Sequence, residues 1–234
     1  MDTIDKIDVA ILCGGFGTRI KDELNGRPKP MIDINGKPFL EILVSRLEGF
    51  GFSRFIFCSG YKGEYIEKYF DGSGSYYFSH EHSPLGTAGA LRFAKGLFLN
   101  NNILVLNGDS FCAIDYKEFV DFHLSNNALL SVVVAPLEGR DDGGSVTVDE
   151  KGRITSFVEK SGTSNFINAG VYLLKSDFLD CIPDGKNCSL ERDIFPTLDP
   201  GGVFAYSTQK RLFDIGTPER LHEFRKVCKV NEWR

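Results

Sequence analysis

The segment that decides the fold reads Val9-Ala10-Ile11-Leu12-Cys13-Gly14-Gly15-Phe16-Gly17-Thr18-Arg19. Its apolar start predicts a buried strand, and the glycines after it predict a loop whose backbone N–H groups can approach a phosphate closely. A dinucleotide-binding loop counted from Gly15 needs a third glycine where the chain has Ile20, and a P-loop needs Gly-Lys-Ser/Thr where it has Thr18-Arg19. An ordinary turn requires neither three glycines nor an arginine. We therefore interpret the segment as a phosphate-binding loop of another kind.

Further apolar runs alternate with amphipathic stretches in the first half of the chain. Continuously apolar residues are typical of parallel strands buried on both faces, and they predict strands at Val9–Leu12, Phe55–Cys58, Ile103–Leu106 and Leu130–Ala135. Apolar residues at helical spacing, with start signals at Pro38 and at Asp115 and Glu118, predict helices over Phe39–Phe50 and Tyr116–Ser125. This order predicts an α/β fold with a Rossmann-like, doubly wound mixed sheet.

The second half of the chain carries more turn signals. They predict a hairpin of Ser145–Val148 and Ile154–Val158, a strand at Ile167–Leu174, short helices around Ser176–Cys181 and Leu190–Phe195, and a last helix opening at Thr217-Pro218. No linker or repeat interrupts the pattern. We expect one domain over residues 1–234, with a doubly wound half over about 7–125 and a half with added strands over about 126–230.

Composition excludes several classes of protein. The chain has 234 residues, and 27 Lys and Arg against 32 Asp and Glu give a net charge of −5, so no positive field predicts nucleic-acid binding. No apolar run approaches a membrane span, and the acidic start does not resemble a signal peptide. Six scattered cysteines without a Cys-x-x-Cys pair favour reduced thiols in the core over disulfides or zinc. We expect a cytoplasmic protein with no membrane or nucleic-acid partner.

Three charged residues stand out before any resemblance is considered. Lys29 is held between Pro28 and Pro30, and a fixed ammonium near a glycine-rich loop suits a polyphosphate, although an incidental lysine in a proline-rich loop is the alternative. Asp109 and Asp214 each follow an apolar run, so each is expected at the carboxyl end of a strand. Two such carboxylates can converge on one Mg²⁺, whereas the plainer alternative is an aspartate that caps a turn.

A set of short motifs points to one family. These are Gly14-Gly15-Phe16-Gly17-Thr18-Arg19, Pro28-Lys29-Pro30-Met31, Pro84-Leu85-Gly86-Thr87-Ala88-Gly89-Ala90-Leu91, Asn107-Gly108-Asp109, Glu159-Lys160, Asn168-Ala169-Gly170 and Asp214-Ile215-Gly216-Thr217-Pro218. In this order they resemble the signature of the sugar-1-phosphate nucleotidyltransferases, over roughly positions 9 to 228. The resemblance implies a nucleotidyltransferase fold similar to glycosyltransferase A. It also implies coupling of a nucleoside triphosphate to a sugar 1-phosphate, with release of pyrophosphate and with Mg²⁺ as cofactor.

The resemblance also assigns roles to individual residues. It implies catalytic roles for Arg19 on the leaving pyrophosphate, Lys29 between the nucleotide and the incoming phosphate, and Lys160 on the sugar phosphate. The implied nucleotide-binding residues are Leu12, Gly14, Gly15, Gly17, Thr18, Glu81, Gly86, Thr87 and Asp109. The implied sugar-binding residues are Asn107, Gly108, Glu159, Asn168 and Gly170, and the implied metal ligands are Asp109 and Asp214. Ser161 stands where the family usually has a proline after Glu-Lys, which affects the rigidity of that loop.

The choice of base depends on Glu81. The family commonly has glutamine there when it binds uracil or thymine, whereas a carboxylate only accepts and so suits the two adjacent donors of guanine. The string from Glu81 to Leu91 resembles the GTP-using branch, although glutamate is not exclusive to guanine in this superfamily. His80 and His82 are interpreted as peripheral rather than as a metal pair.

The resemblance extends to the sugar substrate. The chain resembles guanylyltransferases that act on D-glycero-α-D-manno-heptose 1-phosphate and make GDP-heptose for surface polysaccharides. Mannose 1-phosphate, another nucleoside triphosphate, and a noncatalytic paralogue that binds nucleotide sugars remain alternatives. A homo-oligomer is also left open.

Overall fold

The computed structural model describes residues 4–15, 17–72, 74–137, 144–159 and 166–228. Its strands are β1 (Ile7–Leu12), β2 (Asp33–Ile34), β3 (Lys37–Pro38), β4 (Phe55–Ser59), β5 (Tyr76–His80), β6 (Asn102–Asn107), β7 (Ser110–Cys112), β8 (Leu130–Pro136), β9 (Gly144–Val148), β10 (Ile154–Glu159), β11 (Phe166–Lys175), β12 (Val203–Ser207) and β13 (Leu212–Asp214). Its α-helices are α1 (Phe39–Phe50), α2 (Gly63–Phe70), α3 (Gly86–Phe93), α4 (Tyr116–Ser125) and α5 (Pro218–Val227).

A mixed sheet organises the described part of the chain. Its strand order is β10-β9-β11-β6-β1-β4-β5, with β8 beside β11 and β12 beside β8. Strands β6, β1, β4 and β5 run parallel, whereas β11 runs antiparallel to both β6 and β8. The predicted α/β class with a doubly wound mixed sheet is confirmed. Because β11 pairs with β6, the two halves of the chain share one sheet.

One strand that was predicted to have parallel neighbours has one parallel and one antiparallel neighbour. Leu130–Ala135 lies within β8, which runs parallel to β12 but antiparallel to β11. Six of its seven residues are buried. The continuous apolar pattern therefore reports burial on both faces of the sheet and does not fix the direction of the neighbouring strands.

The two helices predicted in the first half have the bounds that the sequence indicated. α1 covers Phe39–Phe50 and ends at Gly51, whose φ of 100° is the left-handed conformation that favours glycine. α4 covers Tyr116–Ser125, and the Asp115 carboxylate accepts hydrogen bonds from Lys117 N and Glu118 N at 2.8 and 3.1 Å. Local capping and apolar spacing fixed both helices.

The core lies on both faces of the sheet. Along β1, Val9 and Ile11 pack into one apolar cluster, and Ala10 and Leu12 pack into another on the opposite face. A third cluster lies under α5 around Phe224. With both faces of β1 covered, its carboxyl end is left as the place where a ligand can reach the sheet.

Two predictions about the whole chain can be compared with the structure. All six cysteines fall in described ranges and are free thiols, and only Cys181 is exposed. Among the described residues, no helix has both the length and the apolar character needed to cross a bilayer.

Candidate active site

A cavity of about 610 Å³ opens at the carboxyl ends of the parallel strands. Its size is within the range of small-molecule and cofactor sites. Backbone and side chains from the ends of β1, β4 and β6 meet there with the segment before α3. The lining residues are Leu12, Gly14, Gly15, Lys29, Pro30, Cys58, Gly60, Tyr61, Glu81, His82, Ser83, Pro84, Gly86, Thr87, Ala90, Asn107, Gly108, Asp109 and Asn187.

The cavity brings together most of the predicted nucleotide site. The predicted residues in its wall are Leu12, Gly14, Gly15, Lys29, Glu81, Gly86, Thr87, Asn107, Gly108 and Asp109. Other described residues of the predicted site lie outside that wall, namely Gly17, Thr18, Arg19, Asn168, Gly170 and Asp214. Lys160 and the side chain of Glu159 lie outside the described part of the structure. The described part of the predicted site is therefore divided between this cavity and residues outside its wall.

The glycine loop joins the ends of β1 and β6. Gly108 N donates a 2.9 Å hydrogen bond to Leu12 O, and a Cβ added at Gly108 would lie only 2.8 Å from that oxygen. The 3₁₀ helix after the loop, Thr18–Glu23, is short and has non-helical torsion angles at Ile20. Binding of a phosphate at this loop, which stays a prediction, would therefore depend on backbone N–H groups rather than on the dipole of a long helix.

The two predicted metal ligands are neighbours despite their separation in sequence. Asp109 lies in the turn between β6 and β7, and Asp214 is the last residue of β13. The two short strands β7 and β13 pair antiparallel, which places Asp214 opposite Ser110. Ile215 N also donates to Asp109 O at 3.0 Å. The turn and the end of β13 are thus fixed to each other through the backbone.

Each of these carboxylates has a cationic partner. Lys29 Nζ lies 2.6 Å from Asp109 Oδ2, and Arg220 Nη1 lies 3.2 Å from Asp214 Oδ2. Gly216 N donates to Asp214 Oδ1 at 2.8 Å. A Cβ added at Gly216 would lie 3.5 Å from Arg19 Nη2, so the Arg19 guanidinium stands on the Asp214 side of the site.

The donor set fits a hard divalent cation that shares its coordination with substrate. Among the described residues, no group of three or more His, Cys, Asp or Glu could enclose a metal by itself. Two carboxylates at one edge suit Mg²⁺, which usually keeps waters and binds through one or two carboxylates plus substrate phosphates.

Glu81 forms the part of the wall predicted to bind the base. Its Oε2 accepts a 3.1 Å hydrogen bond from Leu85 N, and its own N–H donates to Ser59 O at 2.8 Å. A Cβ added at Gly60 would lie 2.7 Å from Oε1, so the carboxylate packs directly on that glycine. Burial raises the pKa of Glu81, and the Leu85 N–H opposes this. Both oxygens retain acceptor capacity, because each has two lone pairs.

The residues beside Glu81 have structural partners. His80 is hydrogen-bonded through Nδ1 to Ser59 Oγ at 2.7 Å and through Nε2 to Glu67 Oε2 at 3.0 Å. Thr87 Oγ1 donates to Glu191 Oε2 at 3.1 Å and accepts from Leu190 N at 2.8 Å. The Thr87 hydroxyl thus links the first turn of α3 to the turn at Leu190–Ile194, and its contact with a nucleotide stays a prediction.

Several residues of this region were not predicted from the sequence. Arg220 was one, although the helix start at Thr217-Pro218 places it in the first turn of α5, beside Asp214. Tyr172 was another, and its signal was a phenol within an apolar strand, because a buried hydroxyl needs a partner. Glu191 carried no comparable signal.

A glycine loop and a cavity at the carboxyl edge of an α/β sheet are the arrangement in which open α/β proteins bind ligands, nucleotides among them. The model of the nucleotidyl transferase family matches residues 9–229, and the chain belongs to this family. The resemblance found in the sequence is thus confirmed. Members of the family generally use a divalent metal.

Individual relatives are similar over most of this chain. Mannose-1-phosphate guanylyltransferase of Mycobacterium tuberculosis is 35% identical over 225 residues, which are 92% of this chain and 62% of that relative. D-glycero-alpha-D-manno-heptose 1-phosphate guanylyltransferase of Campylobacter jejuni is 34% identical over 218 residues, which are 92% of this chain and 96% of that relative. This chain thus spans less than two thirds of the mycobacterial relative.

The fold is similar to that of a solved protein, HddC. The crystal structure of HddC from Yersinia pseudotuberculosis has a TM-score of 0.82 and 34% sequence identity, and the match covers 94% of this chain and 98% of that chain. HddC has also been solved in complex with GMP-PN.

Proposed function

We propose that the chain is a sugar-1-phosphate guanylyltransferase that transfers GMP from GTP to D-glycero-α-D-manno-heptose 1-phosphate and releases pyrophosphate. The observation that carries the proposal is Glu81, a half-buried carboxylate in the wall of a nucleotide-sized cavity that also contains the glycine loop and Asp109. The relative named for heptose 1-phosphate and the GMP-PN complex of HddC support the choice of sugar and nucleotide.

Guanine suits Glu81 because of hydrogen-bond direction. Its N1–H and exocyclic amine are adjacent donors, and a carboxylate can accept from both. Burial raises the pKa of Glu81, which means that its surroundings disfavour the charged form of the carboxyl. Two donors from guanine would replace the lost solvation. Uracil or thymine would place a carbonyl acceptor against the carboxylate.

The proposed chemistry is an in-line displacement at the α-phosphorus of GTP. A phosphate oxygen of the sugar 1-phosphate attacks, the bond to the β-phosphate oxygen breaks, and pyrophosphate leaves. The attacking oxygen is already anionic near neutral pH, so no general base is needed. Catalysis then depends on positioning two anions and neutralising their repulsion.

The charged residues fit that requirement. Lys29 is proposed to share its ammonium between Asp109 and the substrate phosphates, and Arg19 is proposed to stabilise the leaving pyrophosphate. Lys160 is proposed to hold the sugar phosphate. Mg²⁺ held by Asp109 and Asp214 would supply Lewis-acid charge neutralisation at the phosphates.

Mannose 1-phosphate is the second candidate substrate. The mycobacterial relative, 35% identical, is named for it. We also propose that the reaction takes place in the cytoplasm, where nucleoside triphosphates are present. Homo-oligomerisation stays a prediction that sedimentation analysis would check.

The decisive experiment measures pyrophosphate release with four nucleoside triphosphates against a panel of sugar 1-phosphates, including the heptose, mannose and glucose compounds. We expect the highest kcat/KM with GTP and heptose 1-phosphate. Preference for UTP or dTTP would overturn the base assignment, and preference for mannose 1-phosphate would overturn the sugar assignment. Tight nucleotide-sugar binding without pyrophosphate release from any pair would favour the noncatalytic paralogue.

A further inference from the structure

The carboxylate of Glu191 gathers hydroxyl groups from three segments of the chain. Its Oε2 accepts from Thr87 Oγ1 at 3.1 Å and from Ser189 Oγ at 2.7 Å, and its Oε1 accepts from Tyr172 OH at 2.8 Å. The segment Leu190–Ile194 is a single π-helical turn, a rare conformation that is frequent at functional sites. Glu191 thus connects α3, which borders the nucleotide cavity, with β11, which carries predicted sugar-binding residues.

Tyr172 links Glu191 to the predicted sugar site through hydrogen bonds of its hydroxyl group. The phenol is fully buried, and besides donating to Glu191 it accepts from Asn168 Nδ2 at 2.8 Å. The nearby Asn107 side chain, like Asn168, acts to lower the pKa of the same phenol, as a hydrogen-bond donor does. Burial, followed by the charge of Glu191, raises the pKa of Tyr172 well above its usual range, so the phenol keeps its proton.

The direction of these hydrogen bonds follows from Glu191. A carboxylate has no proton to donate, so the phenol must give its proton to Glu191 and present its lone pairs to the amides. The amide nitrogen of Asn168 therefore turns toward Tyr172, which leaves its Oδ1 to accept from Gly170 N at 2.9 Å.

The Asn107 amide has the same orientation as that of Asn168, with its nitrogen toward β11. Its oxygen, Oδ1, accepts no hydrogen bond from the described residues. A Cβ added at Gly170 would lie 2.7 Å from Asn107 Nδ2, so the amide nitrogen packs against β11. Asn107 lines the cavity, and its buried Oδ1 has no hydrogen-bond partner among the described residues. A buried acceptor without a partner costs free energy unless a ligand supplies a donor.

We propose that Glu191 is a positioning residue that fixes the donor–acceptor polarity of the sugar site. Through Tyr172 it holds the amides of Asn168 and Asn107 with their nitrogens turned inward, so that Asn107 Oδ1 accepts from a hydroxyl group of the sugar. The role in sugar binding rests on the proposed function. The orientation of the amides does not.

The substitution Glu191→Gln tests this polarity with little change in shape. The Gln oxygen can still accept from Thr87 and Ser189, but its NH₂ can donate to Tyr172 OH and release the phenol proton to the amides. We expect kcat/KM for the sugar 1-phosphate to fall about ten- to a hundredfold, mostly through KM. Equilibrium binding of GTP alone is expected to change less than about twofold.

Asp193→Asn is the matched control. Asp193 belongs to the same turn, and its Oδ2 accepts from Ser189 N at 2.7 Å, a bond that asparagine can also accept. This variant removes the same charge from the same turn without touching Tyr172. We expect its kinetics for both substrates to remain parental, whereas an equal loss in both variants would assign the effect to the turn and overturn the proposal.

Tyr172→Phe provides a second test, because Glu191 and Tyr172 act in series. The double variant Glu191→Gln/Tyr172→Phe is expected to lose no more sugar kcat/KM than the more damaged single variant. Losses that multiply would overturn the proposal.

A readout without substrate separates this inference from the proposed function. In ¹⁵N-labelled protein, we expect hydrogen exchange of the Asn168 side-chain NH₂ to be slowed in the parent and the Asp193→Asn control. In Glu191→Gln and Tyr172→Phe it is expected to speed up at least about tenfold, corresponding to loss of one net hydrogen bond. Unchanged exchange would overturn the inference even if the enzyme is active. A parent protein inactive with every sugar 1-phosphate would overturn the proposed function alone.

Discussion

Two acidic side chains at opposite edges of the sheet, Asp8 and Asp109, differ in how completely their oxygens are occupied. Asp8, at the amino end of β1, is fully buried and accepts from Leu99 N, Asn100 N and Asn100 Nδ2 at 2.6, 2.9 and 2.8 Å. Arg54 Nε lies 3.2 Å from it as an ion pair, although it is not aligned for a hydrogen bond. Asp109, at the carboxyl edge, has Lys29 and Ser110 as partners, and 39% of its side chain is exposed.

Because of this difference, the charge of Asp8 supports the fold, whereas the charge of Asp109 is available to substrate. The partners of Asp8 are mostly groups of a fixed loop, so they cannot be exchanged without unfolding that edge. Lys29 is a single side chain beside an open cavity, and its ammonium can turn toward a phosphate. We therefore expect substitutions at the amino edge to affect stability and substitutions at the carboxyl edge to affect catalysis.

The largest expected effect is on turnover. Asp109→Ala or Asp214→Ala should lower kcat about a thousandfold or more, because the ligand of a cation at the transition state contributes several kcal/mol. The midpoint of thermal unfolding should change little. Pyrophosphate release at saturating Mg²⁺ and a thermal scan check both parts. Near-normal turnover in both variants would contradict the proposal that Asp109 and Asp214 bind Mg²⁺.

At the other edge the expected effect is on unfolding. Asp8→Asn should lower the free energy of unfolding by about 3–5 kcal/mol, because it breaks a buried ion pair and turns an NH₂ toward backbone donors. Urea titration measures this change, with Asp5→Asn as the exposed charge control. The folded fraction should keep the parental kcat/KM, and a large loss of kcat would contradict the division between the edges.

Arg19→Ala should lower kcat about a hundredfold while raising KM for GTP only slightly. The reason is that its charge is proposed to act on the leaving pyrophosphate, where charge develops only during reaction. Steady-state kinetics with GTP varied separate the two constants. An unchanged kcat with weaker GTP binding would make Arg19 an anchor for the substrate instead.

Glu81→Gln should change the choice of base. An amide accepts only one of the two guanine hydrogen bonds and opposes the other with a donor, which costs about 1–3 kcal/mol. The ratio of kcat/KM for GTP to that for UTP should fall about ten- to a hundredfold. An unchanged ratio would show that Glu81 does not bind the base.

The smallest expected effect is on the pH dependence of the free energy of unfolding, and it concerns a residue at the amino edge of the sheet. Burial lowers the pKa of His123 to about 4, and Ser131 Oγ lies 2.9 Å from its Nδ1. Between about pH 6.5 and 4 the unfolded chain binds a proton that the folded protein excludes, so stability is complete above this window and falls as pH falls. At pH 5 the loss should be roughly 1–2 kcal/mol, measured by urea titration. His123→Gln should remove this part of the dependence, and an unchanged slope would contradict it.

Prediction from sequence succeeded where the signal was local. The caps at Asp115 and Thr217 and the apolar stripe of Phe39–Phe50 are contained in single segments, and the structure has helices there. α3 was not predicted, because Gly86 and Gly89 lower helix propensity. The structure explains both glycines, since a Cβ at either position would lie within 2.5 Å of a backbone oxygen in the segment 186–188.

The site was predictable as a set of motifs but not as an arrangement. Ten residues of the cavity wall were predicted, some because a phosphate site needs glycines and fixed charges and the others because of the resemblance to the family. The pairing of Lys29 with Asp109 and of Arg220 with Asp214 depends on tertiary contacts that no short motif encodes. Glu191 shows the same limit, because its function depends on three hydroxyls that only the folded chain brings together.

The pairing of β7 with β13 has a consequence for the order in which the protein becomes competent. As the chain emerges from the ribosome, the glycine loop, Glu81 and Asp109 are all present long before Asp214. A nascent chain that ends before β13 has Asp109 but lacks both Asp214 and Arg220. Asp214 reaches Asp109 only when β13 folds back onto β7. On the proposed metal assignment, nucleotide chemistry therefore begins only once β13 has been synthesised and has paired with β7.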